Sequence, residues 1–206
     1  TPICEMKIAD GLAPIPALLK AGVTVALGTD GAIREVRRRI REHPDRYFTT
    51  DQFSNRYNKL AHYATTAEEI LRDTDGRVTH YVSALGTSGT LMGVGARLKE
   101  VDPRIEIVAA EPVRNHYIQG LKNMQEALVP EIYDARRIDR RVMIESEQAF
   151  EMARRIVLEE GIFVGMSSGA AMLAAQTVAG EIDHGVIVVI FPDRGEKYLS
   201  TKLFQP

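Results

Sequence analysis

Apolar and polar positions alternate between two regimes along most of the chain. Val78–Leu85, Ile105–Ala110, Arg140–Ile144, Gly161–Gly165 and Val186–Phe191 are short runs bounded by turn residues, and most are apolar at consecutive positions. That is the pattern of strands covered on both faces in a parallel sheet. Between them the apolar residues recur at helical spacing: Leu60–Arg72, Leu91–Glu100, Glu147–Glu160 with Phe150, Ala153, Ile156 and Val157, and the apolar stretch Ala170–Ala179. The first of these is expected to break near Thr65–Thr66. There Thr66 reads as a cap with Glu69 three residues on, and Ser146 reads as the cap of the third helix. Nearer the start, Pro14 and Pro16 open a short helix, Ala17–Ala21. A strand, Val23–Leu27, then runs into Gly28-Thr29-Asp30-Gly31, and Ile33, Val36 and Ile40 stripe a helix over Ile33–Glu42. Arg46–Phe53 reads as extended, Ser54–Asn58 as a polar turn, and residues 112–137 as an irregular excursion. Strands alternating with helices predict an α/β fold: a mostly parallel, doubly wound, three-layer sandwich. In such sheets ligands bind beyond the carboxyl ends of the strands. Three turns stand there: Gly86–Thr90, Gly165–Gly169 and Pro192–Ser200.

Composition narrows this only a little. With 206 residues there is room for one α/β domain of ordinary size, and 45% hydrophobic with 26% charged residues is typical of a soluble globular protein. A formal net charge of −2 offers no electrostatic case for nucleic acid or an anionic membrane as partner. The arginines of the Ile33–Glu42 helix therefore read as a solvated face. No apolar run approaches the roughly 20 residues that span a bilayer, and no signal-peptide pattern opens the sequence. A lone cysteine, Cys4, fits a reducing cytoplasm. The first residue is Thr, as expected of a processed, excised or engineered segment.

The turn with the most chemistry is Gly86-Thr87-Ser88-Gly89-Thr90. It joins a strand to a helix, leaves backbone N–H groups unpaired at the helix start, and sets hydroxyls beside them. Two readings stand side by side: a cradle for phosphate, sulfate or carboxylate, with glycines admitting close approach of the ligand, or a plain strand-to-helix turn with good capping residues.

From about Gly31 to Phe204 the chain resembles the C-terminal portion of cysteine synthases, especially the B type, which are pyridoxal-phosphate enzymes of fold type II. The resemblance rests on Asp51–Asn55, Gly86–Val94, Gln119–Met124, Glu160–Ala170 and Pro192–Thr201, in the family's order and spacing. It implies that Gly86, Thr87, Ser88, Gly89 and Thr90 hold the cofactor phosphate, that the Ser167 hydroxyl bonds the pyridine nitrogen, and that Gln52 and Phe53 line the substrate side. Two departures count against turnover. None of Lys7, Lys20, Lys59, Lys99, Lys122, Lys197 and Lys202 stands in the Ser-x-Lys-Asp-Arg-like context of the family's Schiff-base lysine, and the family's Ser-Gly-Asn loop has no counterpart. Without that amine the cofactor's electron-sink chemistry has no protein base.

Ala9–Pro16 and Leu18–Ala32 are similar instead to the end of an amidohydrolase barrel of the adenosine-deaminase kind, with Asp30 in the place of that family's metal-site aspartate. The other ligands are missing, because His43, His62, His80, His116 and His184 have no metal-ligand spacing. These readings together predict an engineered chimera, with an amidohydrolase-like segment at 1–32 and a cysteine-synthase-like domain at 33–206. The expected function is a scaffold that retains the phosphate loop, requires no cofactor, and takes pyridoxal phosphate, phosphate or sulfate at Gly86–Thr90 without turnover. The alternatives are a residual pyridoxal-phosphate transferase or lyase of the O-acetylserine sulfhydrylase type, with a surrogate lysine such as Lys59, and a metal-dependent amidohydrolase. A sheet lacking part of its parent predicts a homodimer.

Overall fold

In a computed structural model of the chain, the described residues are Thr24, Val25 and 38–205. The expected helix Ala17–Ala21, the Gly28–Ala32 turn with Asp30, and Cys4 lie outside them, as does the first half of the Ile33–Glu42 helix, of which residues 38–42 are helical. The described strands are β1 (Thr24–Val25), β2 (Tyr47–Phe48), β3 (His80–Ala84), β4 (Glu106–Pro112), β5 (Arg140–Ile144) and β6 (Ile187–Val189). The helices are α1 (Arg56–Ala64), α2 (Thr66–Asp73), α3 (Gly89–Val101), α4 (Ser146–Arg155) and α5 (Met166–Ala179).

Four strands form one sheet in the order β5-β4-β3-β6, every pair parallel, with Val82 opposite both Val108 and Val189. Because side chains alternate across a strand, Tyr81, Leu85, Ile107 and Ala109 face one way and Val82, Val108 and Ala110 the other. The first set packs against Ala67 and Ile70 of α2 and Leu91, Val94 and Leu98 of α3. The second packs against Phe150 and Ala153 of α4 and Ala170, Ala174 and Val178 of α5. These two cores make the three layers of the expected parallel α/β sandwich. Each fully buried Leu or Val contributes roughly 1.5–3 kcal/mol of transfer free energy. Of the Val23–Leu27 run the described residues are Thr24–Val25, a strand that pairs in parallel with Tyr47–Phe48 in a two-stranded ladder separate from the four-stranded sheet.

Several boundaries differ from the periodicity reading for identifiable reasons. Helix α1 begins four residues before Leu60, because the Asn55 side chain caps it by accepting from Tyr57 N at 3.0 Å. At the α1–α2 break the hydroxyls do not cap: Thr65 Oγ1 donates to the Ala61 carbonyl at 2.8 Å, and Thr66 Oγ1 meets His62 Nδ1 at 3.0 Å. Ser146 lies inside α4, where its Oγ accepts from Tyr117 N at 3.1 Å. The helix expected to reach Glu160 changes to a π turn at Ile156–Glu160 and stops at Gly161, whose φ is 68°. Gly161–Gly165 is not a sheet strand. Only Val164 pairs, antiparallel to Arg194, because Gly165 N donates to the Asp193 carbonyl and Gly195 N to the Phe163 carbonyl. That swings the segment away from the sheet and onto the turn after β6.

Candidate functional site

The Gly86–Thr90 turn leaves the carboxyl end of β3 and becomes the first turn of α3. Ser88 caps that helix in the left-handed region, with φ 69°. Its Oγ is buried and has no hydrogen-bond partner among the described residues. A buried hydroxyl is normally paired, so an orphaned one at a helix start marks a place where a ligand atom belongs. Thr87 Oγ1 accepts from Asn58 Nδ2 at 3.2 Å and lies 3.4 Å from Gly89 N. Thr90 Oγ1 meets His62 Nε2 at 3.2 Å. Burial pushes the His62 imidazole below its ordinary value, favouring the neutral ring that can serve both threonines.

The two glycines of the turn make room for neighbouring protein atoms. A Cβ on Gly89 would fall 1.9 Å from Asn58 Oδ1, and one on Gly86 would fall 2.7 Å from the Gly120 carbonyl. Asn58 is the tie. Its Nδ2 also donates to the Gln52 carbonyl at 2.8 Å, so the Gln52–Phe53 segment is fastened to the turn through one buried side chain.

Ser167 sits in the first turn of α5, and it is brought to the same end of the sheet by residues 119 and 120. The Gly120 carbonyl abuts Gly86, and the Gln119 carbonyl lies 3.5 Å from Ser167 Oγ. The 119–120 segment thus links Gly86, the first residue of the turn, to Ser167, while Thr87 and Gly89 abut Asn58 and Thr90 meets His62. Lys122 adjoins that segment: its backbone N donates to the Leu85 carbonyl at 2.7 Å, and its Nζ stands 5.0 Å from the Phe53 ring centre. Lys59, the surrogate amine considered from sequence, does not. It lines a separate cavity of roughly 540 Å³ beside Tyr63, Met92, Tyr133 and Asp134.

Sequence reasoning missed Asn58, His62, Asp193 and Tyr198. Asp193 is buried and accepts from both the N–H and the hydroxyl of Ser167 and of Ser168, and from the Tyr198 hydroxyl. Burial, and then the adjacent Asp193, push the Tyr198 phenol well above its ordinary range. The available signal was that Pro192–Ser200 stands at a strand end like the other two turns. Among the described residues no group of three or more His, Cys, Asp or Glu side chains could hold a metal ion, and no helix is long and apolar enough to cross a membrane.

Compared with known proteins, residues 15–193 match the family described as "Pyridoxal-phosphate dependent enzyme". A cysteine synthase of Aquifex aeolicus is 44% identical over 182 residues, covering 86% of this chain and 56% of the relative. A cysteine synthase B of Pseudomonas aeruginosa is 43% identical over 156 residues, covering 76% and 52%. Among solved structures, a cysteine synthase of Entamoeba histolytica superposes with a TM-score of 0.80 at 40% identity, covering 95% of this chain and 62% of that one. An O-ureido-L-serine synthase superposes with a TM-score of 0.78 at 37% identity, covering 86% and 58%. The chain spans about half the length of the curated relatives it matches. These comparisons give no support to an amidohydrolase segment or a chimeric origin, and the family match already begins at residue 15.

Proposed function

Because the chain belongs to the family of pyridoxal-phosphate-dependent enzymes, we propose that Gly86–Thr90 binds the phosphate of that cofactor and Ser167 contacts its ring, in a site of the O-acetylserine sulfhydrylase type. The expectation that no cofactor is required is corrected by the family, which implies pyridoxal phosphate. The observation that carries the assignment is the buried, unpartnered Ser88 hydroxyl at the start of α3. The residues fit a phosphate: hydroxyls of Thr87, Ser88 and Thr90 adjoin a helix N-terminus of thirteen residues, and charge-assisted hydrogen bonds from such groups are the strong kind.

When bound, the cofactor supplies an electron sink, which lets a β-substituted amino acid such as O-acetylserine lose its leaving group and accept a sulfur nucleophile. The chain's own residues bind and orient. Asn58 and His62 hold the loop hydroxyls in place, and the Gln52–Phe53 segment is fixed by Asn58 at the edge of the loop. Lys122 brings a cation to the same mouth. Proton transfer at the substrate's Cα is the work of an amine, and no lysine of this sequence stands in the family's context for it.

Equilibrium binding of pyridoxal phosphate, followed by its fluorescence, with inorganic phosphate as competitor, tests the reading. The expected result is saturable binding that phosphate displaces at about millimolar concentration, or roughly −4 kcal/mol for phosphate alone. Binding indifferent to phosphate would contradict it.

A further inference from the structure

The two threonine hydroxyls of the Gly86–Thr90 turn are held by unlike partners. Asn58 reaches Thr87 Oγ1 through Nδ2 at 3.2 Å, and the same nitrogen donates to the Gln52 carbonyl at 2.8 Å. A carbonyl only accepts, so the orientation of the amide is fixed and both of its protons are spent as donors. Gly89 N adds a longer contact to Thr87 Oγ1 at 3.4 Å. Thr87 therefore meets the protein with lone pairs and keeps its one hydroxyl proton for a ligand. Thr90 is not preset in this way. Its Oγ1 lies 3.2 Å from His62 Nε2, and the other ring nitrogen, Nδ1, lies 3.0 Å from Thr66 Oγ1 at the start of α2. A neutral imidazole has one donor and one acceptor nitrogen, and burial favours that neutral form here. Two proton orders satisfy both contacts. In the first, Nε2–H donates to Thr90 and the Thr66 hydroxyl donates to Nδ1. In the second, Nδ1–H donates to Thr66 and Thr90 donates to Nε2, which spends the Thr90 proton on the protein.

Resting on the phosphate reading of this turn, we infer that His62 is the positioning residue that makes Thr90 a donor to the phosphate: Nε2–H donates to Thr90 Oγ1, and the Thr90 hydroxyl proton turns to the anion. An ionised phosphate oxygen is an acceptor. The second proton order would meet it with the lone pairs of Thr90, two electron-rich oxygens facing each other in a partly buried site. The first order meets it with O–H and gives a charge-assisted hydrogen bond. Thr66 permits this order because a hydroxyl can donate to Nδ1 as readily as it accepts. His62 thus does for Thr90 what Asn58 does for Thr87. The two residues stand four apart on α1, on one face of the helix. One face of α1 therefore aims both threonine hydroxyls of the turn.

The test uses pyridoxine 5′-phosphate, which has no aldehyde and needs no lysine to bind, and the full chain with 15N-labelled histidine. Well above the ordinary imidazole value of about 6.5 the ring is neutral, and 15N–1H correlation separates a protonated Nε2 from a protonated Nδ1. The His62 signals are those missing from His62→Gln. In the complex His62 is expected as the Nε2–H form alone. His62→Gln, whose amide N–H reaches the Nε2 position, should keep the affinity within about twofold. His62→Leu should weaken it about tenfold, the loss of one hydrogen bond to a charged group. If His62→Leu fails to fold, the wild-type tautomer and the Gln variant decide. Absence of saturable amide shifts at residues 86–90 in the wild-type chain would overturn the phosphate reading, and the role of His62 with it. Saturable binding with His62 in the Nδ1–H form, or a Gln variant as weak as the Leu variant, would overturn the role of His62 alone.

Discussion

At Ser88 the backbone is left-handed and the hydroxyl is buried without a partner among the described residues, so the side chain adds nothing to the folded state that alanine would not. Ser88→Ala should leave the midpoint of urea unfolding unchanged or slightly raised, while weakening phosphate binding. A hydrogen bond to a charged group is worth about 1.5–3 kcal/mol, hence at least a tenfold loss. Lowered stability with unchanged binding would mean the hydroxyl serves the turn, not a ligand. His62 makes a second, pH-dependent prediction. Its folded-state pKa lies below the ordinary 6.5 because it is buried. Between those two values the unfolded chain binds more protons, so stability is highest above about pH 6.5 and falls as pH drops through the folded-state value. His62→Gln should flatten that part of the profile. An unchanged slope in unfolding free energy against pH would show that the slope comes from other groups.

Among the elements, the tie between α1 and the loop is tested by a double-mutant cycle. A Cβ at position 89 collides with Asn58, so Gly89→Ala should destabilise by about 1–3 kcal/mol, the usual cost of overpacking. It should cost clearly less in an Asn58→Ala background. Equal costs in both backgrounds would place the strain elsewhere. The same region marks what the sequence could and could not disclose. The strand at Ile105–Ala110 was legible because residues covered on both faces leave a nearly continuous apolar run, broken only at Glu106. The parallel order followed from the helices between the strands, and the loop from its small residues at a strand end. Asn58 was not legible: it looked like part of a polar turn, and only packing reveals that its amide joins Gln52 to Thr87. Asp193 was hidden for a related reason. Its partners Ser167 and Ser168 lie far away in sequence, and no local pattern encodes a pairing between two strand-end turns. The Gly161–Gly165 misreading arose because β-rich composition cannot say which neighbour a segment pairs with.

For the whole molecule, the described sheet ends at β6, a three-residue strand whose members are only partly covered. An edge of this kind favours pairing, so we expect a homodimer. Light scattering that gave a monomer at high concentration would refute this. Since no lysine stands in the family's catalytic context, borohydride reduction of the chain loaded with pyridoxal phosphate should label no single lysine stoichiometrically. Peptide mapping that found one such lysine, Lys122 above all, would identify an amine the motif does not reveal. The central claim, that the β3–α3 turn and the start of α5 together hold a phosphorylated pyridine cofactor, is tested most directly by backbone amide NMR during titration with pyridoxine 5′-phosphate. The account predicts saturable shifts at residues 86–90 and at Ser167 with one common dissociation constant. It is contradicted if the amides between Leu85 and Gly93 stay where they are.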